Sequence, residues 1–389
     1  MKVVYILHYP GFGGANIAAL CLAQELRVRF GVVPVFLVPM RGQVVDRIRE
    51  AGFDYYILRF ASWRGPRSGL LGLLYAIVTT IVNYFAALTA SHILSGTDIE
   101  LIHANTSLCG FAWFLSRRLG KPLVWHQREF GEEHYGLKYY YGKWIAGRIL
   151  GQSDAVLTVS GAMAEYYKGF VRPVEKVAVV YDGISTSGVN ERLQELVPPV
   201  GECGEFRICM VGGISSGKNQ IEVLNALEHL KACGKVGNMH FYLLGAGTRE
   251  YENYIRSRAA VMGLTDRIHF LGHHSNVWPY LKQMHCAVCA SRREGFGLAV
   301  VEAMYAQLPI VAANAGSMPE LVVHGVTGYL YPSGDYKEMA NCLIRVSQGE
   351  LGENQRIASR ARVVDNFTAE KNAIAVMEVY KRVLGRNTP

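Results

Sequence analysis

The chain has 389 residues, half of them hydrophobic and 19% charged, with a formal net charge of +8. That length accommodates two domains with full cores, and the balance of apolar and charged residues excludes a disordered chain. Residues 1–185 hold 19 Lys/Arg against 13 Asp/Glu, and the remainder 21 against 19, so the first half is the side suited to an anionic partner such as phospholipid or a phosphorylated acceptor. No basic run is interleaved with aromatics and no nucleic-acid motif occurs, so no nucleic acid partner is expected. The eight cysteines are scattered. Only Cys286 and Cys289 are close, in a CAVC run that reads as buried packing. Free thiols and an opening KVVYIL too short for a secretory core point to a reducing cytoplasm.

Apolar strand-like runs alternate with helical ones along the whole chain. In the first half the strands are Val3–Leu7, Val33–Val38, Asp54–Leu58, Leu101–Ala104, Leu123–Trp125, Ala155–Val159 and Lys176–Val180, with helices near Ala15–Phe30 and Gln43–Ala51. In the second half Arg207–Val211, His240–Leu244, Ile268–Phe270, Cys286–Cys289 and Pro309–Ala312 alternate with helices in the same way. This is βαβ grammar repeated twice, and it predicts an α/β fold of two doubly wound, Rossmann-like domains facing a central cleft. The boundaries predicted are a first domain over residues 1–185, a linker over 186–205 and a second domain over 206–368. A final helix within 369–389 is expected to pack back on the first domain.

One segment departs from this rhythm. Residues 68–95 carry no Asp, Glu, Lys or Arg, and GLLGLLYAIVTTIVNYFAALTA is long enough to span a bilayer. Strand-like runs on both sides argue against a span, which would divide one sheet across a membrane. At helical spacing Gly72, Ala76, Thr79, Asn83, Ala87 and Ala90 form a stripe of small or polar side chains, and the rest of the surface is bulky and apolar. The open readings are a deeply buried domain helix, a helix lying in a membrane surface, and a true span; Trp63, Arg64 and Arg67 just before it suit the surface reading.

The first strand runs into HYPGFGGANIA, which resembles a dinucleotide fingerprint and fails it: Asn16 stands at the third glycine position and no acidic residue ends the second strand. LGAGTRE at 244–250 fails in the same way, so hydride transfer is excluded. Gly13 and Gly14 still permit close backbone approach to a ligand. Asp98 and Glu100 begin a strand and have no partners for a metal, Arg128 and Glu129 read as pairing with each other, and Asp182–Gly183 reads as a turn. His126 sits at the carboxyl end of Leu123–Trp125, the edge where open α/β sheets bind ligands.

The second half holds the most specific chemistry. MVGGISSGKNQ at 210–220 takes a strand through Gly212 and Gly213 to Lys218 and a helix, where amides and a cation suit a phosphate; it lacks P-loop spacing. In VCASRREGFGLAVVE at 288–302, Glu294 ends a strand, residues 295–297 turn, and Glu302 lies about one turn into the following helix. Two carboxylates and a set of free helix-start amides then share one crevice.

These features together resemble the retaining family-4 glycosyltransferases of the GT-B fold. The likeness rests on the Gly13–Gly14 loop, IHAN at 102–105, WHQREF at 125–130, DAVLTVS at 154–160, the Lys218 loop, LLGAG at 243–247, HFLGHH at 269–274, the Glu294-x7-Glu302 stretch and GSMPELV at 316–322. The resemblance implies transfer of a sugar from a nucleotide-sugar donor to an acceptor hydroxyl. Lys218 with the helix-start amides would serve the leaving group with no metal and no cofactor, and the apolar helix and basic first half point to a saccharide or lipid-linked acceptor in bacterial surface polysaccharide biosynthesis. The enzyme would be cytoplasmic or peripheral on the inner membrane face, with residues 68–95 the candidate membrane surface. It implies that Glu302 grips the ribose, that Glu294 contacts the transferred sugar, and that Lys218 neutralises the diphosphate. Amides at Gly14 and at Phe296, Gly297 and Leu298 would cap the diphosphate, with Gly13 and Gly212 lining it. Gly272 and His273 would lie near the base, and His126 would hydrogen-bond the donor sugar and assist the reacting centre. One departure is that Gly213 stands where such proteins carry an arginine. Arg292 or Arg293 is a candidate replacement. A GT-B epimerase and a non-catalytic nucleotide-sugar-binding protein stay open as alternatives.

Overall fold

The computed structural model describes residues 1–11, 13–67, 69–132 and 136–385. The calls on sequence that fall at Phe12, Ser68, residues 133–135 and residues 386–389 lie outside them. The chain divides into two compact units: Met1–Gly183 with the chain from Ala369 onward, and Ile184–Thr368. Both are doubly wound α/β folds, the class the alternation predicts.

The first unit is built on β1 (Lys2–Leu7), β2 (Val33–Val38), β3 (Asp54–Ile57), β5 (Ile99–Asn105), β6 (Leu123–Gln127), β8 (Ala155–Thr158) and β9 (Val177–Val179). They form one parallel sheet in the order β3-β2-β1-β5-β6-β8-β9. Helices cover both faces of such a sheet, so its central strands are apolar along their length instead of alternating; Val3 to Leu7 are fully buried. Helix α1 (Gly14–Phe30) follows β1 and buries Leu22 and Leu26 in the same core. The helix Ala369–Val383 packs against α1 and adds Val376 and Tyr380 to that core. A two-stranded antiparallel ribbon, β4 (Arg64–Gly65) with β7 (Lys138–Tyr139), was not legible in the sequence.

The second unit carries β10 (Phe206–Val211), β11 (Met239–Leu244), β12 (Ile268–Gly272), β13 (Cys286–Cys289), β14 (Ile310–Ala313) and β15 (Gly328–Tyr331). Its parallel order is β12-β11-β10-β13-β14-β15. Its core joins Ile208 and Met210 of β10 to Val223, Leu224 and Leu227 of the helix Gln220–Ala232. Cys286 and Cys289 are buried strand residues whose thiols are pushed up by burial. Residues 186–205, read from composition as a linker, are folded with this unit. Val189 and Val200 are buried, and Val200 N–H donates to Gln283 at 2.8 Å. A five-residue helix, Val189–Leu193, is too short to leave a period in the sequence.

The apolar segment is a helix after α2 (Gln43–Glu50): α3 spans Gly69–Ile93. Gly72, Ala76, Thr79, Asn83, Ala87 and Ala90 are buried, and α3 packs on α4 (Phe111–Leu119). The small-residue stripe is therefore the inward face. The bulky side chains point outward, so the reading as a wholly buried domain helix does not hold. Among the described residues this helix alone has the length and composition to cross a membrane, and only a third of its apolar window is buried. The Asn83 carboxamide pins it by a two-way bond to Ala61, accepting from the N–H at 2.8 Å and donating to the carbonyl at 3.0 Å. Asn83→Ala leaves both groups part-buried and unsatisfied, an expected loss of about 2 kcal/mol in urea unfolding. An unchanged midpoint would mean that α3 is held elsewhere.

Candidate active site

In the second unit the chain leaves β10 for β11 on one side, while β13 lies on the other side of β10. This is the switch point of the sheet, where loops diverge and leave the carboxyl strand ends open to a ligand. The loop after β10 and the loop after β13 meet there. Lys218 Nζ lies 2.7 Å from Glu294 Oε2, and both side chains are mostly buried.

Each loop is shaped by its own contacts. Gly212 has φ 131, a conformation open to glycine, and its N–H donates to Leu244 O at 2.9 Å. Ile214 N–H continues the bond pattern to Ala246 O at 3.0 Å. The Gln220 carboxamide closes the loop by donating to Gly213 O at 3.0 Å and accepting from Ser215 N–H at 3.3 Å. Lys218 and Asn219 N–H both turn back to Ser215 O. A Cβ added at Gly213 would meet only Ala246 O, at 3.9 Å, so the backbone does not require glycine there.

Glu294 is clasped from β14's side. Ser317 N–H donates to Glu294 O at 3.1 Å, and Ser317 Oγ donates to Phe296 O at 2.6 Å. Gly316 has φ 57, and a Cβ there would sit 2.5 Å from Glu294 O. Gly316 and Ser317 are thus positioning residues that sequence reading placed only within a family-like stretch. Gly297, at φ 99, caps the helix Leu298–Tyr305 without a side chain. The N–H groups of Val300 and Val301 return to Gly297 O, whereas those of Leu298 and Ala299 have no acceptor within the helix, the usual state of a first turn.

Glu302 lies four residues into that helix. It keeps some solvent contact, yet burial pushes its carboxyl up to about 7, opposed by the nearby Arg192 guanidinium. Arg192, in the stretch 186–205, is a residue that sequence reading missed. Its guanidinium donates to the carbonyls of Ser185 and Ser187 at 3.1 Å and lies 5.6 Å from the Trp278 ring centroid. Gly272, with φ 79, ends β12, and His273 beyond it is exposed. Arg292 is exposed, and Arg293 is partly buried.

In the first unit, Gly13 caps α1 and accepts from the N–H groups of Asn16 and Ile17. The Asn16 carboxamide, in the third-glycine position, donates to Tyr9 O and Gly11 O at 2.9 and 2.7 Å, so it staples the loop. Gly14 has open space where a side chain would be. His126 is fully buried near the end of β6. Its Nδ1 lies 3.4 Å from Arg128 Nη2, its Nε2 has no partner among the described residues, and its ring meets His103 edge-on at 5.3 Å. Burial, Arg128 and His103 together hold its pKa well below the usual value, so the ring is neutral at pH 7. Arg128 and Glu129 do not pair with each other. Arg128 is in a buried ion pair with Asp182, which is therefore more than a turn residue. Glu129 accepts from Ser107 N–H at 3.0 Å and from its hydroxyl at 2.6 Å.

Two doubly wound parallel units of this kind make up the GT-B class. HepE from Anabaena, solved with UDP and with UDP-glucose, superposes with a TM-score of 0.78 at 21% identity over 98% of this chain and all of that one. The chain belongs to the family-4 glycosyltransferases: Glycosyltransferase Family 4 matches residues 12–187, and Glycosyl transferases group 1 matches residues 200–364. Among curated relatives, the amylovoran biosynthesis glycosyltransferase AmsK of Erwinia amylovora is 26% identical over 82% of this chain and 76% of its own length. The lipopolysaccharide core mannosyltransferase LpsB of Rhizobium meliloti is 33% identical over 34% of this chain, a match spanning 39% of that protein.

Glu302 offers a test of the site's burial. Its folded pKa is raised from 4.5 to about 7, so its contribution to stability is complete below 4.5 and is lost as pH rises through 7. Glu302→Gln should match the parent below about pH 4 and be more stable at pH 8 by about 3 kcal/mol. Chemical denaturation at the two pH values measures this, and equal curves at pH 8 would show that the carboxyl is not desolvated.

Proposed function

We propose that the chain is a retaining, metal-independent hexosyltransferase-type enzyme. It moves a sugar from a nucleotide-sugar donor to a hydroxyl of a saccharide or lipid-linked acceptor, in the cytoplasm, during bacterial surface polysaccharide biosynthesis. The observation that carries this reading is the meeting of Lys218 and Glu294 at the switch point of the second sheet. The UDP-glucose held by HepE and the polysaccharide roles in the names of AmsK and LpsB support the donor class and the pathway.

Breaking a glycosyl–phosphate bond places negative charge on the leaving diphosphate and positive charge on the anomeric carbon. Oriented donors at the diphosphate are then the main requirement. Lys218 and the first-turn amide of Leu298 meet it within the second unit; in the free protein Glu294 takes the place of the anion beside Lys218. On donor binding Lys218 turns to the diphosphate, and Glu294 is released to bond the transferred sugar. Glu302 accepts from the ribose hydroxyls, and Gly272 and His273 lie by the base. The acceptor hydroxyl attacks the anomeric carbon on the face the diphosphate leaves. The bonding pair of the broken C–O bond goes to the diphosphate, which also takes the hydroxyl proton. His126 of the first unit, its ring held neutral by burial, is the candidate hydrogen-bonding group toward a sugar hydroxyl.

A panel of nucleotide sugars assayed for nucleoside diphosphate release tests the reading. Lys218→Ala is expected to lower kcat/KM by about 100-fold or more, as for other single donors to developing charge, and Glu294→Gln should fall in the same direction. A Glu294→Gln enzyme as active as the parent removes Glu294 from the mechanism. Epimerised donor with no acceptor consumed would replace transfer by epimerisation.

Two binding experiments refine it. If Glu302 accepts from ribose, nucleotide binds best when the carboxyl is ionised. Affinity measured by calorimetry should therefore fall from pH 8 to pH 6, and Glu302→Gln should abolish that slope. Gly213→Arg meets no clash at its Cβ, and one added charge-assisted bond is expected to tighten donor binding by about tenfold or more. Unchanged affinity would mean that the diphosphate does not approach Gly213.

A further inference from the structure

We propose that α3 docks the protein on an anionic lipid bilayer, lying in the plane of the surface with its bulky face inserted. A helix of 25 residues is about 38 Å long. Along that length it presents Leu70, Leu71, Leu74, Val78, Ile81 and Phe85, each between 51% and 75% exposed. Its opposite face is committed to the fold through Asn83 and α4. The Tyr141 hydroxyl also donates to Ala76 O. A span would have to strip that buried face away, whereas an in-plane helix keeps it and still removes the apolar face from water.

Charge decides the occupant. Residues 55–97 and 134–153 contain no Asp or Glu, while Arg59, Arg67, Lys138 and Arg148 within them are exposed; Lys143 is paired with Glu132 at 3.0 Å. Several sit against aromatic rings of the same surface. The Arg67 guanidinium lies 3.9 Å from the Tyr75 centroid, and Tyr75 meets Tyr140 at 5.9 Å. Arg148 lies 4.2 Å from the ring of Trp144, which is 67% exposed. Apolar side chains rimmed by aromatic–cation pairs match the boundary between acyl chains and headgroups. A second copy docked by the same face would set these cations against one another. Anionic headgroups neutralise them, each contributing about 1 kcal/mol near the surface.

This deepens the reading of a lipid-linked acceptor, and the vesicle binding that tests it is read without acceptor or donor. The full chain is floated with phosphatidylcholine vesicles and with vesicles containing phosphatidylglycerol. Strong binding to the anionic vesicles, weakened by salt, is expected. Leu74→Glu with Val78→Glu should keep the parent's circular dichroism and melting temperature, keep turnover of a soluble acceptor, and lose vesicle binding by about tenfold or more. Arg67→Gln with Arg148→Gln should weaken binding to anionic vesicles alone. The proposal is overturned if the parent stays unbound with both vesicles, if the glutamate pair unfolds the protein, or if that pair abolishes a dimer that ignores vesicles. Transfer activity without vesicle binding would sink this inference and leave the proposed reaction standing; vesicle binding without transfer would do the reverse.

Discussion

The second unit's chemistry depends on a constraint of parallel sheets. Each crossover must pass over the sheet with one hand, so a sheet that begins in its middle and grows both ways must part its loops between two strands. That parting falls between β10 and β13. It brings together Lys218 and Glu294, 76 residues apart, in an ion pair that is largely out of water. Opposite charges in such a place hold each other in position, and each is a ready partner for polar groups of a ligand.

The surrounding residues turn that meeting into a fixed geometry. Gly316 lets one backbone approach another where a methyl group would collide, and Ser317 ties Glu294 and Phe296 from the next loop. Glu302 is treated differently. Burial raises its proton affinity, and Arg192 only partly opposes the shift. A carboxyl left in that state carries a folding cost, which hydrogen-bond donors of a bound ligand would offset. The same element that supplies Glu302 also supplies unsatisfied amides at its start, because a helix always leaves its first N–H groups without internal acceptors.

In the first unit the comparable edge is occupied by a buried polar network. The Tyr5 and Tyr380 hydroxyls lie 3.1 Å apart, Tyr380 reaches His103 at 2.7 Å, and His103 abuts His126. Arg128, paired with Asp182 and bonded to Asn105, closes the other side. The effect is to hold the His126 ring still and uncharged. Tyr380 comes from the last helix of the chain, so the setting of His126 depends on residues more than 250 positions away.

The local code was legible where a feature repeats at the period of its own element. Continuous apolar runs marked the buried parallel strands, the stripe from Gly72 to Ala90 marked the inward face of α3, and the spacing after the CAVC run put Glu302 on a helix; Glu294, read as the end of a strand, lies instead in the loop five residues beyond β13. Pairings between distant segments were not legible. Arg128 looked bound to its neighbour Glu129 and instead meets Asp182; Arg192 was lost in a stretch that looked like linker; Gly316 gave no sign of which backbone it touches. Spacing along a chain fixes which side of an element a residue occupies, because that depends only on residues within a turn or two. Which loops share an edge, and how much water reaches them, depends on strand order and on crossovers tens of residues long, and those exist only once the sheet has formed.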